Sequence, residues 1–402
     1  MFNRPQLPTR LAAGVAQLLC VAALLAACGG GGSDSSSGTT PTATAFSAGP
    51  ITGFGSVIVN GVRFDDSAAN ISDDDGAAHD RSELKLGMMA EVEGADVKRD
   101  NAGSGSGRAI EIRIGSEIVG PATAVDVAGK TLTVIGQTVD VTDNTLFDDR
   151  ITGGLAGISV GTIVEVNGAL NATNGHFTAT RIETKPNAPF FKVRGMVAKL
   201  DTTLHTFEIG GAKFSYDTIA AFVPAGLADK QLVRVKVQTT QVAGAWVAIS
   251  VKSGVRKVEN HDEAEVHGLI TAFTSATKFS VNGIAVDATN AVFPQGQTGV
   301  VLGARVEVEG KALNGVIVAS KVQLEDEREL HIRGFELHGN IAAIDTTLKT
   351  FLLRGVTVNY TSTAVYKDGT EADLAVGKQV EVKGVLNLDG KTLTAARIEF
   401  EK

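Results

Sequence analysis

Cysteine is nearly missing: Cys20 and Cys28 are the only two in 402 residues. No disulfide framework can hold the rest of the chain together. Cationic side chains are also in deficit, with 37 Lys and Arg against 45 Asp and Glu. Nucleic-acid binding rests on neutralising phosphates, so the balance excludes that class of partner. Apolar runs long enough for a membrane helix are absent as well. The one candidate, residues 11–27, is short, ends in small residues and follows the basic pair Arg4 and Arg10. That pattern predicts a cleaved secretory signal rather than a span. With both arginines removed the mature chain carries 35 basic and 45 acidic residues. It has no electrostatic grip on anionic headgroups.

The end of the apolar run is specific. Leu25-Ala26-Ala27-Cys28 resembles the bacterial lipobox. That resemblance implies cleavage before Cys28, which then carries diacylglycerol on sulfur and an acyl chain on its amine. Each buried methylene contributes about 0.8 kcal/mol, and more than one chain is needed for stable anchoring. Gly29, where an aspartate would retain the protein at the inner membrane, implies the outer membrane of the envelope. Residues 28–45 are rich in Gly, Ser and Thr, cannot build a core and predict a flexible tether.

What the chain does have is a beat. "AEVEG" at 90–94 recurs as "VEVNG" at 164–168, "VKVQT" at 235–239, "VEVEG" at 306–310 and "VEVKG" at 380–384. The closing residues Gly94, Gly168, Thr239, Gly310 and Gly384 are 74, 71, 71 and 74 apart. A second set, Gly61, Gly136, Gly211, Gly283 and Gly355, is spaced 75, 75, 72 and 72. A fixed period of this size means a repeated structural unit. The boundaries read as module 1 at 46–116, module 2 at 117–188, module 3 at 189–261, module 4 at 262–330 and module 5 at 331–402.

Within a module the alternation gives three strands, a break, then two more. Module 3 reads "FKVRGMVAKLD", "TFEIGG" and "AKFSYD", a helix or loop over 217–230, then "QLVRVKVQT" and "AWVAISVKS". Asn60-Gly61 and Asn282-Gly283 are hairpin signals between strands two and three. This order predicts an all-β chain of about five small five-stranded OB-like barrels, with an SH3-like barrel as the alternative. Only 8 residues separate Gly53 from Gly61, which suggests a cramped first strand in module 1. Modules of this size are marginal alone, and the joints are short. Neighbours are therefore expected to touch, giving a rod or arc.

"GPITGFGSVIVNGVRFD" at 49–65, followed by the "VEVxG" and "RIE" lines, resembles the bacterial family known as domain of unknown function 5666. The resemblance covers nearly all of residues 49–402 and fits module 3 least. It implies tandem β modules in an envelope protein. It implies no catalytic residues.

Several constellations carry residue types suited to chemistry. Residues 157–161 match G-x-S-x-G, but that motif needs a strand-to-helix turn, and here it precedes a strand. The acidic run at 65–80 lacks the register of an EF-hand, because Ile71 stands where the first aspartate belongs. A looser carboxylate site at Asp73, Asp74 and Asp75 competes with a solvated loop of Asx turns. Histidine and carboxylate mix at 259–268 and 325–339, where His267 and His338 hold matching slots. A divalent metal at a module joint is conceivable there, with candidates His261, Asp262, Glu263, Glu265, His267 and His338. Val119 and Arg194 hold the same slot in modules 2 and 3, which fits a polar-tolerant surface equally well. Phe207, Phe279, Phe351 and Trp246 fall on the apolar face and predict core, not a stacking platform. Glu91, Glu165, Glu307 and Glu381, one per barrel, predict a solvated face, with Lys236 in that slot in module 3. The chain thus predicts a non-enzymatic, cofactor-free binding or structural array. Its partners would be the membrane, through lipidated Cys28, and an unidentified envelope protein or glycan.

Overall fold

A computed structural model describes residues 43–99, 105–325, 334–361, 364–387 and 391–401. Cys28, the signal and most of the tether lie outside the described residues.

Five closed barrels follow one another. Their first strands are Ala45–Phe54, Ile118–Asp126, Phe191–Met196 continued by Ala198–Asp201, His261–Ser275 and Phe335–Asp345. Each first strand pairs antiparallel with the second and the fourth; in module 4 His261–Ser275 lies between Lys278–Val281 and Arg305–Leu313. The third strand, Ile284–Asp287, is antiparallel to the second and parallel to the fifth, Val316–Leu324. The fifth closes on the fourth. The other four barrels repeat this connectivity, which is that of an OB-like Greek-key barrel. The break between third and fourth strands holds a short 3-10 helix, such as Asp217–Phe222 in module 3.

Alternation builds the cores. Phe207 stacks on Phe214 with centroids 5.5 Å apart, and Trp246 meets Phe191 edge-on at 5.6 Å. All four are buried. Two glycine positions per barrel are structural, the second held by valine in module 3. The hairpins turn through left-handed pairs such as Asn60-Gly61 and Asn282-Gly283. The Asn282 side chain folds back to donate to the His267 carbonyl at 3.1 Å. It lies where a Cβ on Gly268 would sit. The fourth-strand glycine marks a bulge: a Cβ on Gly310 would fall on the Val318 carbonyl oxygen.

Two sequence-based registers need correction. In module 1 the glycine opposite the fourth strand is Gly49, paired with Ala90, not Gly53. The ten-residue first strand is not cramped; it starts early and turns at Gly55. In module 3 the bulge falls at Val237, opposite Ala248, as it falls at Gly168, Gly310 and Gly384 elsewhere. The segment equivalent to "VEVKG" is therefore residues 233–237, and Val237 rather than Thr239 stands for the glycine. Strand side chains repeat every two residues, so a two-residue slip leaves the buried face unchanged and invisible to alternation.

The modules do not line up as a rod. The first strand of module 1 runs parallel to that of module 4 over Ala45–Ala48 against Glu263–Val266. Its far end, Gly53 and Phe54, runs parallel to Glu336 and Leu337 of module 5. Modules 1, 4 and 5 thus share one continuous sheet, and the first strands of modules 2 and 3 pair in a second. Cores merge likewise, between modules 2 and 3 and between modules 1 and 5. The described residues form one compact unit.

Candidate metal centres and the ion pairs between modules

One slot on the first strand faces one slot on the fourth in every barrel. The pairs are Ala48 with Glu91, Val119 with Glu165, Arg194 with Arg234, His267 with Glu307, and His338 with Glu381. Module 3 thus presents Arg234 there, and Lys236 lies two residues on. The polar slots are not a solvated face: Glu91 is 8% exposed and Glu307 6%.

Modules 4 and 5 carry the same tetrad. In module 4, His267 Nε2 lies 2.8 Å from Glu265 Oε1 and 4.0 Å from Glu307 Oε2, while Nδ1 is 3.1 Å from Glu325 Oε1. In module 5, His338 Nε2 lies 2.7 Å from Glu336 and 3.6 Å from Glu381, and Nδ1 is 2.8 Å from Glu401. Glu-x-His puts both side chains on one face of a strand. The fourth strand adds a carboxylate, and the residue just past the fifth adds another. Each imidazole therefore points one nitrogen at two carboxylates while a third carboxylate holds the other. Metal-binding histidines are commonly oriented this way. The Nε2 side of each tetrad could hold an ion such as Zn²⁺ or Mn²⁺ with nitrogen and oxygen ligands.

Without an ion the charges balance locally. Burial pulls the His267 pKa down, but Glu265 and Glu325 outweigh it and lift it to about 9. His338 is raised too, with Glu336 and Glu401 overcoming burial and the opposing Arg63 charge. Burial raises the Glu336 carboxyl, yet His338, Lys383 and Arg63 bring it down to about 2. Module 1 supplies an arginine to each tetrad. Arg99 pairs with Glu265, and Arg63 Nη2 sits 2.5 Å from Glu336. Lys321 and Lys383 add a second cation each.

The slots of modules 1 and 3 merge into one network, which module 2 joins through Glu117. The acidic loop of module 1 reaches into module 3: Asp74 lies 2.8 Å from Arg234 and 3.9 Å from Lys192, and Asp75 lies 2.5 Å from Lys236. Glu117 of module 2 meets Arg194 at 3.1 Å and Arg256 at 3.3 Å, and Arg256 also pairs with Glu91. Burial raises the Asp74 carboxyl, but Arg256, Lys192 and Arg234 win and hold it below the usual range. The solvated-loop expectation therefore fails for Asp74; Asp75 is exposed, though its carboxylate pairs with Lys236. Asp73 makes the expected Asx turn, accepting from Asp75 and Ala77 backbone N–H groups at 2.9 Å, and Asp65 and Asp80 make others at the ends of the run.

The remaining candidates fall elsewhere. His261 stacks on Phe46 at 5.8 Å, with neither ring nitrogen hydrogen-bonded among the described residues. Asp262 and Glu263 are exposed. Ser159 is exposed in a loop between a 3-10 helix and the fourth strand, so the strand-to-helix elbow is absent there. Glu325, Glu336, Glu401, Arg63 and Arg99 were not singled out from sequence. The E-x-H spacing at 265–267 and 336–338 was the available signal for Glu336.

The fold and these slots define a class: a body of OB-like barrels interlocked by ion pairs. Three segments, 119–183, 267–323 and 338–399, match the profile of a family described as "Domain of unknown function (DUF5666)". These are modules 2, 4 and 5, so the chain is similar to repeats of that family there. Modules 1 and 3, which carry the acidic loop and its basic partner strand, lie outside the matched segments. No curated protein matches the chain.

Proposed function

We propose that this protein is a non-enzymatic lipoprotein of the bacterial cell envelope, anchored through lipidated Cys28, probing its surroundings as one body of five barrels. The observation that carries this reading is the network joining Asp74, Glu91 and Glu117 to Arg194, Arg234 and Arg256. In modules 1 and 3 the charged slots, with Glu117 of module 2, hold barrels together instead of converging on a substrate. Contacts to an envelope protein or glycan would then be made by several modules at fixed spacing, which raises avidity without tight single sites. The test is capture from native envelopes by the full mature lipoprotein beside a Cys28→Ala form. An isolated module retaining a captured partner as tightly as the whole chain would remove the multivalent part. Loss of envelope fractionation in the Cys28→Ala form is expected, and its retention would remove the anchor.

A second reading is favoured by the twin tetrads: a divalent metal binds in modules 4 and 5. In module 4, Glu265, Glu307 and Glu325 face His267, Arg99 and Lys321. A divalent ion could replace one proton on His267 and the Arg99 guanidinium with no change in net charge. Binding would release a proton, as metal capture by a protonated ligand must. Calorimetry of the Cys28→Ala chain with Zn²⁺, Mn²⁺ and Ca²⁺ tests it, and absence of heat with all three removes it.

A further inference from the structure

A cavity of about 660 Å³ lies where modules 1, 2 and 5 meet. It is remote from the tetrads in chemistry and belongs to no slot of the repeat. Its floor is apolar, formed by Leu84, Leu146, Phe147 and Leu386, all buried. Its walls carry three carboxylate–guanidinium pairs. Arg81 holds Asp66 through Nε at 2.8 Å and Nη2 at 2.5 Å. Arg150 holds Asp148 through Nε at 2.9 Å and Nη2 at 2.6 Å. Arg181 donates to Glu183 at 2.8 Å.

We propose that this cleft binds a neutral carbohydrate of about disaccharide size. Four observations lead to it. The volume falls in the range of small-molecule sites, and joints between domains are where such sites occur. Three wall carboxylates have their own guanidinium, and the remaining lining charges, Asp80 and Asp149 against Lys85, Arg354 and Lys391, nearly cancel, so the cleft favours neither sign of ligand charge strongly. The same pairs offer fixed donors next to fixed acceptors, which is what a hydroxyl, itself donor and acceptor, requires. An apolar floor under a polar wall matches a pyranose, whose ring face is C–H and whose edge is O–H. One donor is also unfilled: Arg181 is 9% exposed, and its Nε has no acceptor among the described residues. A sugar oxygen would supply it.

The walls are tied across modules before any ligand arrives. Thr180 Oγ1 donates to the Gly87 carbonyl at 2.6 Å, Arg181 Nη1 to that of Leu86 at 3.2 Å, and Lys391 Nζ to that of Asp149 at 2.7 Å. A cleft preorganised in this way loses little freedom on binding.

The test is saturation-transfer NMR on the full mature Cys28→Ala chain with maltose, cellobiose and N,N′-diacetylchitobiose. A sulfated heparin disaccharide and spermidine serve as charged probes. At about 10 mM at least one neutral disaccharide is expected to bind, and more tightly than either charged probe. Arg150→Ala on the exposed rim and Ser82→Trp, which fills the mouth, should each weaken it about tenfold or more. Both positions are exposed, so the fold should survive, and an unchanged circular dichroism spectrum verifies it. No neutral disaccharide binding, preference for a charged probe, or binding unaffected by both variants would overturn the proposal.

Discussion

Arg234 of module 3 places Nη1 2.8 Å from Asp74 Oδ2 of module 1, across 160 residues of sequence. The Asp74 carboxylate is 6% exposed and also faces Lys192, whose side chain is 9% exposed. Removing one member of a buried ion set leaves the others without compensation, which costs about 3–5 kcal/mol. Asp74→Ala is therefore expected to lower urea-unfolding stability by that order. Asp75, whose side chain is 21% exposed and pairs with both Lys236 and the half-solvated Lys252, should cost less, about 1 kcal/mol, when replaced by Ala. Equal effects of the two substitutions would mean that the acidic loop is not a lock between modules.

The lock shows what the sequence could and could not reveal. The barrel was legible because glycine at Gly168, Gly310 and Gly384 is forced by close backbone approach at a bulge, and apolar alternation marks each core. The tetrads were half legible: His267 and His338 share a slot, and Glu265 stands two residues away. Apart from Glu336, also two residues from its histidine, their other members lie 40 or more residues downstream, and the paired Arg63 and Arg99 come from another module. Nothing local encodes which module docks on which. The deviant module 3 was the one clue, since Arg234 replaces an acid, but a two-residue slip hid it behind Lys236.

The bulge register makes a stability prediction of its own. A Cβ at Gly310 would collide with the Val318 carbonyl oxygen, a backbone atom that cannot swing aside. Gly310→Ala is expected to cost about 2 kcal/mol or more, as strain at a special backbone site does. Thr239→Ala, at an exposed position past the true bulge at Val237, should stay within about 0.5 kcal/mol. Thermal unfolding of both variants measures this. A costly Thr239→Ala beside a harmless Gly310→Ala would restore the shifted alignment.

Buried His267 sets a pH dependence with a definite sign. Its folded pKa, about 9, lies above the ordinary value of 6.5, so the folded state holds the proton more tightly. The stabilisation is complete below about pH 6.5 and is lost as pH rises through about 9. Chain stability should therefore fall by up to a few kcal/mol between those limits. His267→Gln should be less stable at pH 6 and should flatten that decline. A decline of unchanged slope in His267→Gln would assign the titration to other groups.

The tetrads themselves distinguish a metal centre from an ion-pair clamp. If a divalent ion takes the place of a proton and a guanidinium, Zn²⁺ should bind the Cys28→Ala chain at two sites and, below about pH 9, release about one proton at the module 4 site. Affinity should weaken by about tenfold for each pH unit below 9 at the module 4 site, because His267 must lose its proton first. Glu307→Gln and Glu381→Gln should each remove one site and leave the other. Arg99→Gln removes the competing cation from Glu265 and should tighten the module 4 site alone, by a factor of about ten. Calorimetry in buffers of different ionisation enthalpy reads stoichiometry and proton release together. Zinc uptake that ignores both glutamate substitutions would assign the tetrads wholly to holding module 1 against modules 4 and 5.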